Sequence, residues 1–208
     1  EAPVPRPFRI FRRKLMLRAR RQWLLARAMR RRRQLHPVWD RTARIAPGDI
    51  LLFTTMRNEA PRLPWFLDYY RAMGVRHFLV VDNGSQDGGR EYLGQQRDVS
   101  VWLTHASYKA ARFGMDWMNW LLHRHGAGHW CLTVDPDEFL VYPHHDTRPL
   151  QALTDWLDAS NIRAFSAMLL DMYPQGSLAA EPYRAGQDPF RIARWFDPAN
   201  YVIRKNGE

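Results

Sequence analysis

Short apolar runs alternate with helical segments over residues 49–170, and this alternation restricts the fold more than any other feature of the 208-residue sequence. The apolar runs have the composition of buried strands. They occupy residues 50–55, 77–81, 99–103, 130–134 and 162–170. Helices are predicted over residues 61–73, 109–125 and 150–159, and a short helix is predicted at residues 92–93. Because strands that alternate with helices form βαβ units, the sequence predicts an α/β fold with a mostly parallel sheet flanked by helices.

Polar residues follow three of the predicted strands at their carboxyl ends. Thr55–Glu59 follows the first strand, Asp82–Ser85 the second and Asp135–Glu138 the fourth. Carboxyl ends of parallel strands meet at one edge of a sheet, and ligands of such folds bind in the crevice outside that edge. We therefore expect these three segments to form one binding site, although they are distant in sequence.

The stretch HWCLTVDPDEFLVYP, His129–Pro143, carries the strongest chemical signal. Asp135, Asp137 and Glu138 lie between a buried strand and a second apolar run over residues 139–142. Carboxylates so placed are costly to hold together unless they share a cation. Hard divalent ions bind through one or two carboxylates plus substrate phosphates. A metal–diphosphate site is therefore one interpretation and an acidic turn between two strands is the other; the coincidence of the three strand ends favours the metal site.

Several common sites lack their sequence signatures. No Gly-x-Gly-x-x-Gly follows the first strand and no Gly-Lys-Ser/Thr loop is present, which disfavours dinucleotide and P-loop binding. No Gly-x-Ser-x-Gly elbow is present, which disfavours an α/β-hydrolase. The single cysteine, Cys131, excludes an internal disulfide and a cysteine-rich zinc site.

Three elements resemble, in order, the signatures of family 2 glycosyltransferases with the GT-A fold: TTMRNEAPRLPWFLDYYRAMGV, HFLVVDNGSQDGG and LTVDPDEFLVYP. More narrowly, they resemble the bacterial branch with RNE after the first strand and D-x-DEF after the fourth. The resemblance covers about Ile50–Asp171 and implies a GT-A-like, Rossmann-type domain. It also implies metal-dependent, inverting transfer of a sugar from a nucleotide-sugar donor to a glycan, lipid-linked or other hydroxyl acceptor, as in bacterial polysaccharide biosynthesis.

The resemblance also implies roles for individual residues. Asp137 would be the main ligand of Mn²⁺ or Mg²⁺, and Asp135 would contact the metal through water or hold the ribose. Glu138 would order the surroundings of the metal. Asn83 stands where the family often has an aspartate that contacts the base. The implied donor-binding set is Thr55, Arg57, Asn58, Glu59, Asp82, Asn83, Ser85, Arg112 and Asp135.

The catalytic base is expected well after the metal motif in related enzymes. Asp171 is the first candidate in this chain and Asp188 the second, and a role for Asp171 as an acceptor-loop or capping residue is the alternative. A loop pair is the preferred interpretation of His144 and His145, because adjacent side chains project in different directions.

The N-terminal region is a basic arm. Residues 1–50 hold 15 Lys/Arg against 3 Asp/Glu, a net charge of +12, whereas residues 51–208 hold 16 against 18, a net charge of −2. Residues 6–34 are predicted to form a helix with two apolar stripes, one to dock on the domain and one to meet an anionic membrane surface or a protein partner. A solvated leader is the alternative. Residues 37–48 are expected to be a linker, which divides the chain into an arm over 1–48 and a domain over 49–208 that could be truncated at its C-terminus.

Two other functions compete with glycosyl transfer. A nucleotidyltransferase would use the same metal site. It would be expected to carry a basic phosphate-binding loop after the first strand, where this sequence has the single Arg57. A nucleic-acid-binding protein would have to use the arm alone, because the domain is net acidic, so nucleic acid is a disfavoured partner. No apolar run approaches the ~18 residues of a membrane span, and no signal-peptide pattern is present. We therefore expect a cytoplasmic protein, peripheral on the inner face of the cell membrane.

Overall fold

A five-stranded sheet is the centre of the computed structural model, which describes residues 7–176 and 183–197. The strand order is β1-β4-β3-β2-β5, and only the edge strand β1 runs antiparallel to its neighbour. This arrangement confirms the predicted α/β class with a mostly parallel, Rossmann-like sheet. The strands are β1 (His36–Trp39), β2 (Ile50–Met56), β3 (Val75–Asp82), β4 (Val99–Leu103) and β5 (Cys131–Thr133).

Helices cover both faces of this sheet. The helices are α1 (Pro7–Arg31), α2 (Leu63–Met73), α3 (Gly89–Gly94), α4 (Met115–His125), α5 (Leu150–Ala159) and α6 (Pro189–Ile192). One core layer joins α2, α3 and α5 to one face, and a second layer joins α4 and the chain just after α1 to the other. In β2, Leu52 faces the first layer and Leu51 and Phe53 face the second, all fully buried. Burial on both faces explains why the strands are continuously apolar and not alternating.

The most regular elements match their predictions closely. Strand β4 and helix α5 have the predicted boundaries, 99–103 and 150–159. Helix α2 carries Pro64 in its first turn and ends at Gly74, whose φ of 107° only glycine adopts readily. Strand β5 is shorter than predicted, although hydrogen bonds from Leu51 to Trp130 and from Val134 to Phe53 continue the pairing on both sides of it.

The predicted linker over residues 37–48 is wrong at its start. Residues 36–39 form β1, which pairs antiparallel with β4 and places Pro37 opposite Trp102. An edge strand tolerates proline because its outer backbone groups face solvent. Arg41 then fastens the segment by donating to Val99 O at 2.8 Å and to Gly94 O at 2.7 Å. The sheet therefore begins before the predicted domain boundary at residue 48.

The helix predicted over residues 109–125 begins only at Met115. The three residues before it, Arg112, Phe113 and Gly114, have φ values of 54°, 54° and 76°. Left-handed backbone cannot continue a right-handed α-helix and costs about 1–2 kcal/mol for each residue with a Cβ. The segment is consequently a tight turn, closed by a hydrogen bond from Phe113 N to Tyr108 O at 2.9 Å.

The strand predicted over residues 162–170 is wrong. The segment has no regular structure, and Phe165, Met168 and Leu169 are more than half exposed. A strand needs a neighbour for its backbone groups, and this run has none among residues 7–176 and 183–197. The apolar run over 139–142 is also not a strand; its aromatic Phe139 packs against Tyr69.

The C-terminal half of α1 is fastened to the domain. Arg27 Nε donates to Asp116 Oδ2 at 2.7 Å, and its Nη2 donates to Ala110 O at 2.6 Å. Arg31 reaches the same carbonyl at 3.2 Å. Trp117 Nε1 donates to Gln34 Oε1 at 3.0 Å just beyond the helix. One side of the predicted helix therefore docks on the domain, as expected.

Within the described ranges, none of the helices has the length and apolar character needed to cross a bilayer.

We predict that Arg27→Ala lowers the free energy of unfolding by about 2–3 kcal/mol. The Asp116 side chain is 1% exposed, so the substitution leaves a buried carboxylate with only Arg112, 3.9 Å away, as an ion-pair partner. Urea unfolding at neutral pH measures the change. Arg20→Ala, an exposed arginine of the same helix, is the matched control and should cost less than about 0.5 kcal/mol. Equal losses in the two variants would contradict the anchoring role of Arg27.

Candidate functional site

A cleft of about 320 Å³ opens at the carboxyl edge of the sheet. It collects residues from the ends of β2, β3 and β5, the three strand ends that the sequence predicted to meet. Its wall contains Thr55, Met56, Arg57, Glu59, Asn83, Tyr108, Asp135, Pro136 and Asp137. Segments separated by more than 80 positions in sequence therefore form one surface.

The acidic turn after β5 is held by hydrogen bonds of its own. Glu138 N donates to Asp135 O at 3.0 Å, and the Glu138 carboxylate accepts from Asp135 N at 2.9 Å. Pro136 between them is buried. Because Glu138 points back to the backbone, the two aspartates on either side of the proline are the carboxylates that the turn presents to the cleft.

Helix α2 supports this turn from below. The Tyr70 hydroxyl donates to Glu138 O at 3.0 Å and accepts from Leu140 N at 3.0 Å. The Tyr69 hydroxyl donates to Leu140 O at 2.8 Å. Burial raises the pKa of Tyr69 to about 12 and raises that of Tyr70 further, so both hydroxyls keep their protons at physiological pH. Two adjacent tyrosines thus fix the backbone that follows the aspartates.

Negative charge accumulates in the cleft. The pKa of Asp135 is raised above its ordinary value, first by desolvation and then by the neighbouring carboxylates of Glu138, Asp137 and Glu59. Desolvation, followed by the charge of Asp135, also raises the pKa of Tyr108 across the cleft. Two oxygen-donor aspartates in a region of surplus negative charge suit a hard divalent cation. Among the described residues, no group of three His, Cys, Asp or Glu side chains could hold a metal ion by itself.

The loop after β2 is tied to the loop after β3. Asn58 adopts a φ of 57°, donates its N–H to Ser85 Oγ at 3.0 Å and accepts from Gln86 N at 2.9 Å. Ala60 N donates to the Asp87 carboxylate at 2.7 Å. Asn58 therefore bridges the two loops beside the cleft. Its neighbours Arg57 and Glu59 line the wall of the cleft, whereas Asn58 does not.

Asp82 and Asn83, at the end of β3, have different surroundings. Asp82 is fully buried, accepts from Ser85 N at 2.8 Å and lies 3.6 Å from Arg90, beneath the wall of the cleft. Asn83 lines the cleft, but its side-chain N–H groups donate to Thr104 O and Ala106 O at 3.2 and 3.0 Å. Its carbonyl oxygen is the atom left to contact a ligand.

The sequence analysis missed the contribution of the loop after β4. Tyr108 lines the cleft opposite Asp135, and its ring packs edge-to-face on Phe113 at 5.9 Å. Gly114 lets this loop approach β2, because a Cβ there would lie 3.0 Å from both Thr55 Oγ1 and the Tyr108 ring. The loop follows the carboxyl end of a parallel strand, which is the signal that could have identified it.

A second cleft of about 840 Å³ adjoins the first and shares Arg57, Asn83 and Tyr108 with it. Ser85 lies in its wall. Besides the shared Arg57, three nitrogen-bearing side chains line the second cleft and not the first: Arg90, His105 and Lys109. The edge of the sheet thus carries an acidic compartment beside a basic one.

Other predicted residues lie away from these clefts. Arg112 pairs with Asp116 and Asp171 is exposed in irregular chain, and neither lines a cleft. Asp188 caps α6 by accepting from Phe190 N at 2.9 Å. His144, at a φ of 65°, belongs to a loop.

Comparison with known proteins gives one informative similarity. The chain is 25% identical over 119 residues to a glycosyltransferase family 92 protein of rice, Oryza sativa subsp. japonica. The match covers 53% of this chain and 19% of the rice protein, so the chain spans about a fifth of that protein's length. No protein-family profile matches the chain. No solved structure matches it either. The similarity is to a glycosyltransferase, of a different family and source from the bacterial family 2 branch that the motifs resemble.

We predict that Asp135→Asn stabilises the protein in EDTA-containing buffer. A carboxyl whose pKa rises on folding contributes stability below its unfolded pKa, and this is lost as the pH rises through the folded value. Ionised Asp135 therefore opposes folding at neutral pH, and its neutral isostere should raise Tm at pH 7 by about 1–2 °C.

Thermal unfolding followed from pH 7 downward measures this difference, which should vanish below about pH 4. Asp146→Asn, on an exposed residue of the following loop, is the matched control and should leave Tm at pH 7 unchanged. A lower Tm for Asp135→Asn at pH 7 would contradict the electrostatic analysis.

Proposed function

We propose that this chain contains the donor-binding domain of a glycosyltransferase, which moves a sugar from a nucleotide sugar to a hydroxyl acceptor. The observation that carries the proposal is the meeting of three parallel strand ends on one cleft, with two aspartates facing Tyr108 and Asn83 across it. The similarity to the rice glycosyltransferase supports the same reaction class. The RNE and D-x-DEF motifs make family 2, and a bacterial polysaccharide pathway, the finer proposal.

The two adjoining clefts suggest how a nucleotide sugar divides between them. The larger, basic cleft suits the nucleoside, with the Asn83 carbonyl available to a base edge and the Tyr108 ring to stack on it. The smaller cleft suits the diphosphate and the sugar. Arg57 lies in the wall of both, where its guanidinium can pair with phosphate oxygens.

Asp137 and Asp135 would hold a Mn²⁺ or Mg²⁺ ion in the acidic cleft, with the donor phosphates as its remaining ligands. The chemistry that the bound ion supplies is neutralisation of the charge on the departing nucleoside diphosphate. Glu138 and the tyrosine pair of α2 keep the turn in place through the hydrogen bonds described above.

The reaction itself needs an acceptor and a base. The acceptor oxygen forms a bond to the anomeric carbon while the bond from that carbon to the diphosphate breaks, and a carboxylate takes the hydroxyl proton. Asp171 stays the predicted base. Its place in exposed, irregular chain makes an approach of residues 161–176 to the cleft a requirement of that assignment.

We predict that nucleotide sugars stabilise the wild-type chain in the presence of Mn²⁺ and that Asp137→Asn removes this effect. Ligand at 100 times its Kd adds ~2.7 kcal/mol, or roughly 5–10 °C in Tm for a chain of this size. A thermal-shift screen of UDP-, GDP- and dTDP-sugars, with Mn²⁺ or EDTA, measures it.

Asp146→Asn is the control and should respond like wild type. A screen in which no nucleotide sugar raises Tm would overturn the proposal. Stabilisation by nucleoside triphosphates in place of nucleotide sugars would favour the nucleotidyltransferase alternative.

We predict that Tyr108→Ala weakens nucleotide binding about tenfold, whereas Tyr108→Phe retains most of it. The ring is the group offered to the base, and stacking on an aromatic ring contributes about 1–3 kcal/mol. Calorimetric titration of each variant with the best diphosphate of the screen measures the change. Equal weakening by both substitutions would assign the contact to the hydroxyl and contradict stacking.

A further inference from the structure

Residues 15–23 of α1 include large apolar side chains on the exposed surface of the helix. Leu15 is 57% exposed, Met16 67% and Trp23 58%. These values contrast with Ala28, which is fully buried where the helix docks on the domain. Domains seldom leave several large apolar side chains together in solvent without a partner.

Three of the exposed apolar residues lie on one side of the helix, whereas Phe11 and Leu17, which are 65% and 46% exposed, project in other directions. At 100° per residue, Leu15, Met16 and Trp23 point within about 60° of the direction opposite Ala28. Ala19 and Ala26 lie between them in this projection. We call this set the outer stripe: Leu15, Met16, Ala19, Trp23 and Ala26. The predicted pair of apolar stripes is thus divided between the docked side and a free side.

The charge around the outer stripe has a single sign. Helix α1 contains no acidic residue, and the exposed side chains of Arg13, Arg18 and Arg20 flank the outer stripe. Lys14 and Arg21, also exposed, lie on the opposite side of the helix. An apolar stripe between basic flanks, on a helix whose remaining surface is rich in arginine, is the pattern of a helix that lies in the plane of a membrane interface.

We propose that the outer stripe of α1 docks this protein on an anionic lipid bilayer. The apolar side chains would enter the boundary between headgroups and acyl chains, while the flanking Arg residues contact acidic headgroups. A second copy of the chain fits less well, because it would bring two sets of like charges together. Nucleic acid would satisfy the basic residues and leave the stripe exposed.

The C-terminal half of α1 is hydrogen-bonded to the domain, so the helix would attach the domain rigidly to the bilayer. Arg27 and Arg31 both hold Ala110 O, and Arg27 also holds the buried carboxylate of Asp116. Since those bonds are made about three turns beyond Leu15 and Met16 along the helix, membrane contact by these two residues and domain contact by the arginines do not compete. The proposal is independent of the reaction at the cleft.

The test is co-sedimentation of the full 208-residue chain with vesicles of phosphatidylcholine, with and without about 30 mol % phosphatidylglycerol. We expect at least roughly tenfold tighter partitioning to the anionic vesicles, weakened by high salt. Leu15→Ser with Met16→Ser should weaken it about tenfold further. Met168→Ser with Leu169→Ser removes the same residue types at similar exposure elsewhere and should change binding less than about twofold.

Three outcomes would overturn the proposal. The first is equal binding to neutral and anionic vesicles. The second is an equal loss in the two double variants, which would assign the contact to residues 168–169. The third is vesicle-free self-association that Leu15→Ser with Met16→Ser abolishes, since a second copy would then cover the stripe. Circular dichroism of each variant checks that α1 remains helical.

Discussion

The parallel pairing of β5 with β2 is the interaction on which the site depends. Strand β5 is only three residues long, and its residues pair with Leu51, Leu52 and Phe53 of β2. This short ladder carries the Asp135–Asp137 turn to the place where β2 and β3 end. A strand so short is weak by itself, and the tyrosine pair of α2 compensates by hydrogen bonding to the chain just after the turn.

The cleft combines rigid backbone with unfavourable charge. Hydrogen bonds between the loops after β2 and β3 hold Asn58 and Ser85 in fixed positions. The pKa of Asp135, in contrast, is raised by desolvation and then by the neighbouring carboxylates of Glu138, Asp137 and Glu59. Such a site is less stable than it would be with neutral residues in place of the aspartates, and a cation bound there would offset the difference.

Sequence patterns revealed the parts of the fold that depend on burial and topology. Strands buried on both faces are continuous apolar runs, and the rule that ligands bind at the carboxyl ends of parallel strands brought Thr55, Asn83 and Asp137 to one cleft. The sequence did not predict strand β1, because a four-residue strand that contains a proline shows no hydrophobic periodicity. Tyr108 escaped because its place depends on a left-handed turn, which arises from contacts and not from a repeating pattern. The run over 162–170 has strand composition, but composition cannot supply a neighbouring strand.

The turn at Arg112–Gly114 joins two regions that are far apart in sequence. On one side Gly114 lies against Thr55 in the wall of the cleft, and on the other the segment from Ala110 to Asp116 is gripped by Arg27 of α1. The helix and the cleft wall are therefore mechanically connected. A displacement of α1 by a few tenths of an ångström would be felt where Thr55 and Tyr108 meet, since close-packed chains transmit strain and do not absorb it.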